Sequence, residues 1–185
     1  MPVNHDSSKK SILLSNTPGT LSLRIDYGGK CLIDQAFVRG TQILAESSGA
    51  FTAVNVGGAR PSSLNLLKNP LVSVEKQLAT ISDIRFGNNV LQIEEQWSFR
   101  VRNDSVFWRI ERVYHGKTEA DEILLPLWNF LSLDTWTAAI LGTGGVAWFK
   151  LFDTPHATYG VHTDTVAFWN ARSGSCLKIV GRPGE

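Results

Sequence analysis

The chain has 185 residues, 43% of them hydrophobic and 19% charged, with a formal net charge of +1. That length suits one domain with a substantial core, and the composition excludes a disordered chain and gives no electrostatic footprint for nucleic acid. The two cysteines, Cys31 and Cys176, are too few for a disulfide framework and lack metal-ligand spacing, so packed, inert thiols are expected, with no metal and no cofactor.

The chain starts with polar residues, and behind them only Ile12-Leu13-Leu14 is apolar. An export signal needs roughly 7–15 apolar residues, so a cytoplasmic location is expected, with secretion the alternative if a leader precedes this stretch in a longer chain. No run approaches the ~20 apolar residues of a membrane helix; the most apolar part, 123–149, is interrupted by Pro126, Asp134 and the glycines of 142–145. Residues 1–19 read as a polar arm.

From Thr20 the pattern has period two. Leu21, Leu23 and Ile25 alternate with Ser22, Arg24 and Asp26, and Tyr27-Gly28-Gly29-Lys30 turns the chain into a returning strand over 30–38. Further strands are expected over 50–56, 71–77, 80–86, 90–101, 105–115, 122–130, 138–141, 146–152, 166–171 and 176–180. Turn residues such as Gly57-Gly58, Asn69-Pro70, Gly87-Asn88-Asn89 and Ser173-Gly174-Ser175 separate them. Helical spacing is confined to 61–68, where Pro61 suits a first turn and Pro70 closes the segment. About 10–12 strands, at most one short helix and nothing to cover a parallel sheet predict an all-β, antiparallel β-sandwich. It spans 20–180 as a single domain and is followed by a tail of linker composition, 181–185.

One hairpin is legible residue by residue. Over 90–101 the odd positions Leu91, Ile93, Trp97, Phe99 and Val101 are apolar and Glu95 is the exception. Over 105–115 the even positions Val106, Trp108, Ile110 and Tyr114 take the apolar face and Arg112 is the exception. A two-residue loop at Asn103-Asp104 pairs Arg102 with Ser105. Phe99 then meets Trp108, Trp97 meets Ile110, and the two charged exceptions meet each other. A slip of one residue would turn every aromatic to the opposite face. The Glu95–Arg112 pair has two readings. It is a structural ion pair, in which losing one partner strands a charge at about 3–5 kcal/mol, or it is a carboxylate held by arginine on the floor of a ligand cleft, accepting from sugar hydroxyls.

Aromatic and amide residues gather in the second half. Trp128-Asn129 and Asp134-Thr135-Trp136 combine flat rings with paired hydrogen-bonding groups, as a sugar site requires. Trp128, Asn129, Asp134 and Trp136 are therefore the ligand-binding candidates. Trp97, Trp108, Trp148 and Trp169 lie on clearly alternating strands and are expected in the core. The stretch 153–164 carries Asp153, His156, His162 and Asp164. A solvated loop is the default there, but His156 or His162 with Glu95 or Asp153 could form an acid–base pair. Gly142-Thr143-Gly144-Gly145 lacks the Lys-Ser/Thr of a phosphate loop, and no Gly-x-Ser-x-Gly elbow occurs.

The run Glu95-Gln96-Trp97-Ser98-Phe99, Val106-Phe107-Trp108-Arg109-Ile110-Glu111-Arg112 and Glu122-Ile123-Leu124-Leu125-Pro126-Leu127-Trp128 resembles the β-supersandwich, or galactose-mutarotase-like, domain. That domain precedes the (α/α)6-barrel catalytic domain of many glycoside hydrolases and phosphorylases. The resemblance covers residues 71–130. It implies a non-catalytic, carbohydrate-associated ancillary domain whose partners are carbohydrate or a catalytic domain of the same polypeptide, with self-association left open. The alternatives are a free-standing sugar-binding or interaction module and a mutarotase-type sugar epimerase. The catalytic carboxylates of such enzymes lie in the barrel, so this chain by itself is expected to be catalytically silent.

Overall fold

The period-two stretches form antiparallel strands, and the described residues contain no helix. The computed structural model describes residues 2–45, 47–123, 126–131, 136–141, 146–149, 156–157 and 165–180. They fall into two units, Met1–Leu131 and Ser132–Glu185.

In the first unit the strands are β1 (Val3–Asp6), β2 (Ser11–Ser15), β3 (Leu21–Asp26), β4 (Leu32–Val38), β5 (Thr41–Gln42), β6 (Ala50–Phe51), β7 (Val54–Asn55), β8 (Leu71–Glu75), β9 (Leu78–Gly87), β10 (Leu91–Val101), β11 (Val106–Gly116), β12 (Glu122–Ile123) and β13 (Leu127–Trp128). One sheet runs β1-β2-β3-β4-β6-β13 with β5 hydrogen-bonded to β4; a second runs β11-β10-β9-β8; β7 and β12 form a small ribbon. The inward positions of the first sheet, among them Ile12, Leu14, Ile25, Leu32 and Ile33, are fully buried, as are Ile81, Ile84, Phe86, Ile93, Trp97 and Phe99 of the second. The result is the antiparallel, sandwich-like architecture expected from the alternation. The described residues of the second unit form one sheet, β16-β15-β14-β17-β18, from β14 (Ala138–Leu141), β15 (Val146–Phe149), β16 (His156–Ala157), β17 (Thr165–Asn170) and β18 (Ser175–Val180).

The hairpin register is the expected one. Val101 faces Val106, Phe99 faces Trp108, Trp97 faces Ile110 and Glu95 faces Arg112. Arg102 N donates to the Ser105 carbonyl at 2.9 Å across the two-residue loop.

Three expectations require correction. The stretch 1–19 is no mere polar arm, since it supplies β1 and β2, whose Val3, Ile12 and Leu14 reach the core. The segment 61–68 is irregular rather than helical. Its backbone is held by the neighbouring strands: Val54 N donates to the Pro61 carbonyl at 3.1 Å, and Ser63 exchanges hydrogen bonds with Thr52 and Cys31. The single strand expected over 122–130 is two short pieces with different partners, β12 on β7 and β13 on β6. Between them lies Pro126, which has no N–H to give to a ladder. The tail 181–185 lies outside the described residues.

Two bulges shift the alternation. In β9 the inward residues are Ala79, Ile81, Ile84 and Phe86, a spacing that skips one position. Ser82 and Asp83 together oppose Gln96. Asp83 adopts a left-handed backbone, φ 63°, which Asp tolerates because its short polar side chain bonds locally. Its carboxylate is held by Lys68 and Arg85. The Lys68 hydrogen bond, chiefly, holds the Asp83 carboxyl below its usual range, with the Arg85 charge assisting. A depressed folded value means the stabilisation is present above the unfolded pKa and lost as pH falls through the folded one. Asp83→Asn keeps the backbone preference and removes the charge. The stability difference between wild type and Asp83→Asn in urea titrations should therefore be largest near neutral pH and shrink below about pH 4. The second bulge, in β4, adds Asp34 between the Gln35–Arg24 and Ile33–Ile25 pairs. Buried Asp34 is gripped by Arg24, whose Nε lies 3.0 and 3.1 Å from its two carboxylate oxygens.

Candidate functional site

The inward odd positions of β10 carry Glu95 into the core, where it is 1% exposed. A carboxylate there requires donors, and neighbouring elements supply three. Arg112 Nε, from the facing position of β11, donates to Oε1 at 2.6 Å. Thr52 Oγ1, between β6 and β7, donates to Oε2 at 2.7 Å, and Trp97 Nε1 donates to the same oxygen at 2.8 Å. Behind Thr52 the chain of contacts continues. Thr52 N donates to Ser63 Oγ at 3.2 Å, Ser63 Oγ donates to the Cys31 carbonyl at 2.6 Å, and Cys31 N donates to the Ser63 carbonyl at 2.6 Å. A polar network thus runs from β11 through the core to the start of β4.

The electrostatics follow from burial. Desolvation lowers the affinity of the Arg112 guanidinium for its proton, but the Glu95 charge and the hydrogen bonds to Tyr114 and Glu95 outweigh it, so Arg112 stands above its ordinary value. It remains a cation throughout. Burial, then the charges of Glu95 and Asp26, push the Cys31 thiol well up, leaving it inert as expected. Cys176 departs from the expectation of a packed thiol: it is exposed, because alternation along β18 turns Ser175 inward and Cys176 outward.

Beside the ion pair stands an aromatic group drawn from both sheets. Trp97 and Trp108 meet edge to face at 4.7 Å between centroids, and Phe99 stacks on Trp108 at 5.6 Å and 18°. Trp128, on β13 of the opposite sheet, meets Trp108 edge-on at 6.2 Å. Trp97 and Phe99 are fully buried, whereas Trp108 and Trp128 are half-buried. The Trp108 Nε1 is buried and makes no hydrogen bond.

The other candidates are placed unevenly. Asn129 is half-buried and its amide is engaged, donating to the Ser48 and Gly49 carbonyls at 3.1 and 3.4 Å, so it clasps a turn. Trp136, in the second unit, is 2% exposed against Phe168 at 5.7 Å, and its Nε1 has no partner. Trp169 is half-buried. His156 opens β16, with Ala147 its register partner. Asp134, Asp153, His162 and Asp164 lie outside the described residues. Glu95 and Arg112 are brought together.

Thr52 and Ser63 escape sequence reasoning because neither interrupts an alternating run. Arg24 and Asp34 escape it because the bulge hides which face Asp34 takes. A polar residue flanked by Leu32-Ile33 and Ala36 was the available signal.

Among the described residues no group of three or more His, Cys, Asp and Glu is arranged to hold a metal ion, and no helix is long and apolar enough to cross a membrane. Comparison with family models, with curated proteins and with solved structures finds no match. The class defined here is an antiparallel, sandwich-like all-β protein with a buried ion pair beside an aromatic wall.

Proposed function

We propose that the chain is a non-catalytic, carbohydrate-associated β-sandwich, an ancillary domain of a carbohydrate-active enzyme, which contacts sugar through Trp128. The observation that carries this reading is the pairing of the half-buried Trp128 and Trp108 indoles beside a carboxylate whose oxygens are already taken by internal donors. A general acid or base must present its proton or lone pair to the reacting atom. Glu95 presents its own to Arg112, Thr52 and Trp97. Half-buried indoles suit the C–H face of a pyranose, which needs an apolar wall and a few polar groups at its rim. The likeness of 95–128 to the β-supersandwich hairpin supports the same assignment. We place the protein in the cytoplasm, in keeping with its two free cysteines.

Affinity electrophoresis of the full chain through gels containing starch, xylan, β-glucan or galactan tests the proposal, with titration calorimetry on the matching oligosaccharide. Retardation by at least one polysaccharide is expected, and Trp128→Ala should weaken binding about tenfold, some 1.4 kcal/mol, while keeping the wild-type circular dichroism. Absence of retardation throughout, or a Trp128→Ala protein that binds as well as wild type, overturns it. Accelerated interconversion of α- and β-galactose in polarimetry overturns the non-catalytic assignment.

A further inference from the structure

Strand β11 is the outer strand of its sheet: it pairs with β10 on one side, and no described strand pairs with it on the other. It runs for 11 residues without proline or bulge. Long regular edges are templates for another strand, and natural proteins ordinarily blunt them. The hydrogen-bonding phase of this edge is set by the hairpin. Arg102 N donates to the Ser105 carbonyl, so alternation turns the backbone groups of Phe107, Arg109, Glu111 and Val113 toward β10. Those of Val106, Trp108, Ile110, Arg112 and Tyr114 point away from it.

We propose that this edge binds a second copy of the same chain, β11 against β11 and antiparallel, about a twofold axis at Ile110. The sequence on either side of Ile110 is self-complementary. That register sets Arg109 against the second copy's Glu111 and Phe107 against its Val113. These are exposed side chains, 71% for Arg109, 49% for Glu111, 48% for Phe107 and 54% for Val113. It also makes Ile110–Ile110, Trp108–Arg112 and Val106–Tyr114 the hydrogen-bonded pairs, which are the residues whose backbone groups point outward. Arg109–Glu111 and Phe107–Val113 fall at the non-hydrogen-bonded pairs, where side chains approach closest. A register one residue away would put inward-directed backbone groups opposite outward ones and lose the charge match. Isologous pairing of this kind closes at two copies and removes the exposed edge.

Sedimentation velocity of the full chain from low to high micromolar concentration should show a concentration-dependent dimer. Glu111→Arg places arginine opposite arginine and should weaken the dimer at least about tenfold, some 1.4 kcal/mol. Arg109→Glu combined with Glu111→Arg restores opposite charges across the axis and should recover it. Urea midpoints confirm that both variants fold. A monomer at every concentration, a dimer indifferent to Glu111→Arg, or a double variant no better than the single one overturns the proposal.

Discussion

Glu95→Ala should destabilise the first unit by about 3–5 kcal/mol, the range for removing one partner of a buried ion pair. The loss is large because of what remains. Arg112, whose side chain is 12% exposed, keeps its charge with no carboxylate to face. The Thr52 hydroxyl and the Trp97 indole N–H lose their acceptor in the core, and unsatisfied buried donors carry their own desolvation penalty. Glu94 is the natural control. One residue away on the opposite face, it reaches Arg85 at 3.0 Å and His115 at 3.3 Å through a carboxylate open to solvent. Pairs of that kind contribute about 0–1 kcal/mol. Equilibrium urea unfolding of both variants checks the contrast; equal midpoints would contradict the assigned roles.

Gly49→Ala should be still harder to accommodate, with a loss beyond the usual 1–3 kcal/mol of overpacking, at least about 3 kcal/mol. A Cβ on Gly49 would lie 1.9 Å from the Ile33 carbonyl oxygen and 2.9 Å from its carbon. Both are backbone atoms of β4, so no side-chain rotation relieves the overlap. Nor is Gly49 free to move. Its N–H donates to the Ala45 carbonyl at 2.6 Å, its own carbonyl accepts from Asn129 N at 2.8 Å, and the next residue, Ala50, pairs with Ile33. Gly40→Ala separates this crowding from backbone strain, because Gly40 has φ 79° with nothing near the added carbon. It should cost only about 1–2 kcal/mol. Thermal melts of the two variants rank them, and a Gly49→Ala protein as stable as Gly40→Ala would disprove the close approach.

What the sequence disclosed and what it hid follow from one physical fact: alternation reveals a face only while the ladder is regular. The β10–β11 hairpin is regular over its whole length and carries two charged exceptions, so its register and the Glu95–Arg112 contact were both readable. Where the ladder breaks, the reading breaks too. The extra residues at Asp34 and Asp83 displace the pattern by one. The polar opening of the chain concealed β1 and β2, because two short strands on a sheet margin need only Val3, Ile12 and Leu14 to face inward. Proline spacing over 61–68 imitated a helix, whereas the long-range bonds to Thr52 and Cys31 that shape it leave no local trace. The candidate site was legible to the same extent. Glu95, Arg112, Trp97 and Trp108 were in view, but Thr52 and Ser63, which complete the network, join it through tertiary contacts between distant segments.

The bulge at Asp83 works as a reading frame for β9. Ile81 and Ile84 lie three positions apart yet present the same face, because the bulge absorbs one residue that has no partner of its own. Deleting Asp83 alone would close that spacing to two and leave Ala79, Ile81, Ile84 and Phe86 all inside on a regular strand. Losing both Ser82 and Asp83 would instead send Ile84 and Phe86 to the solvent side. At this point in the strand a loss of one residue is therefore tolerated and a loss of two is not.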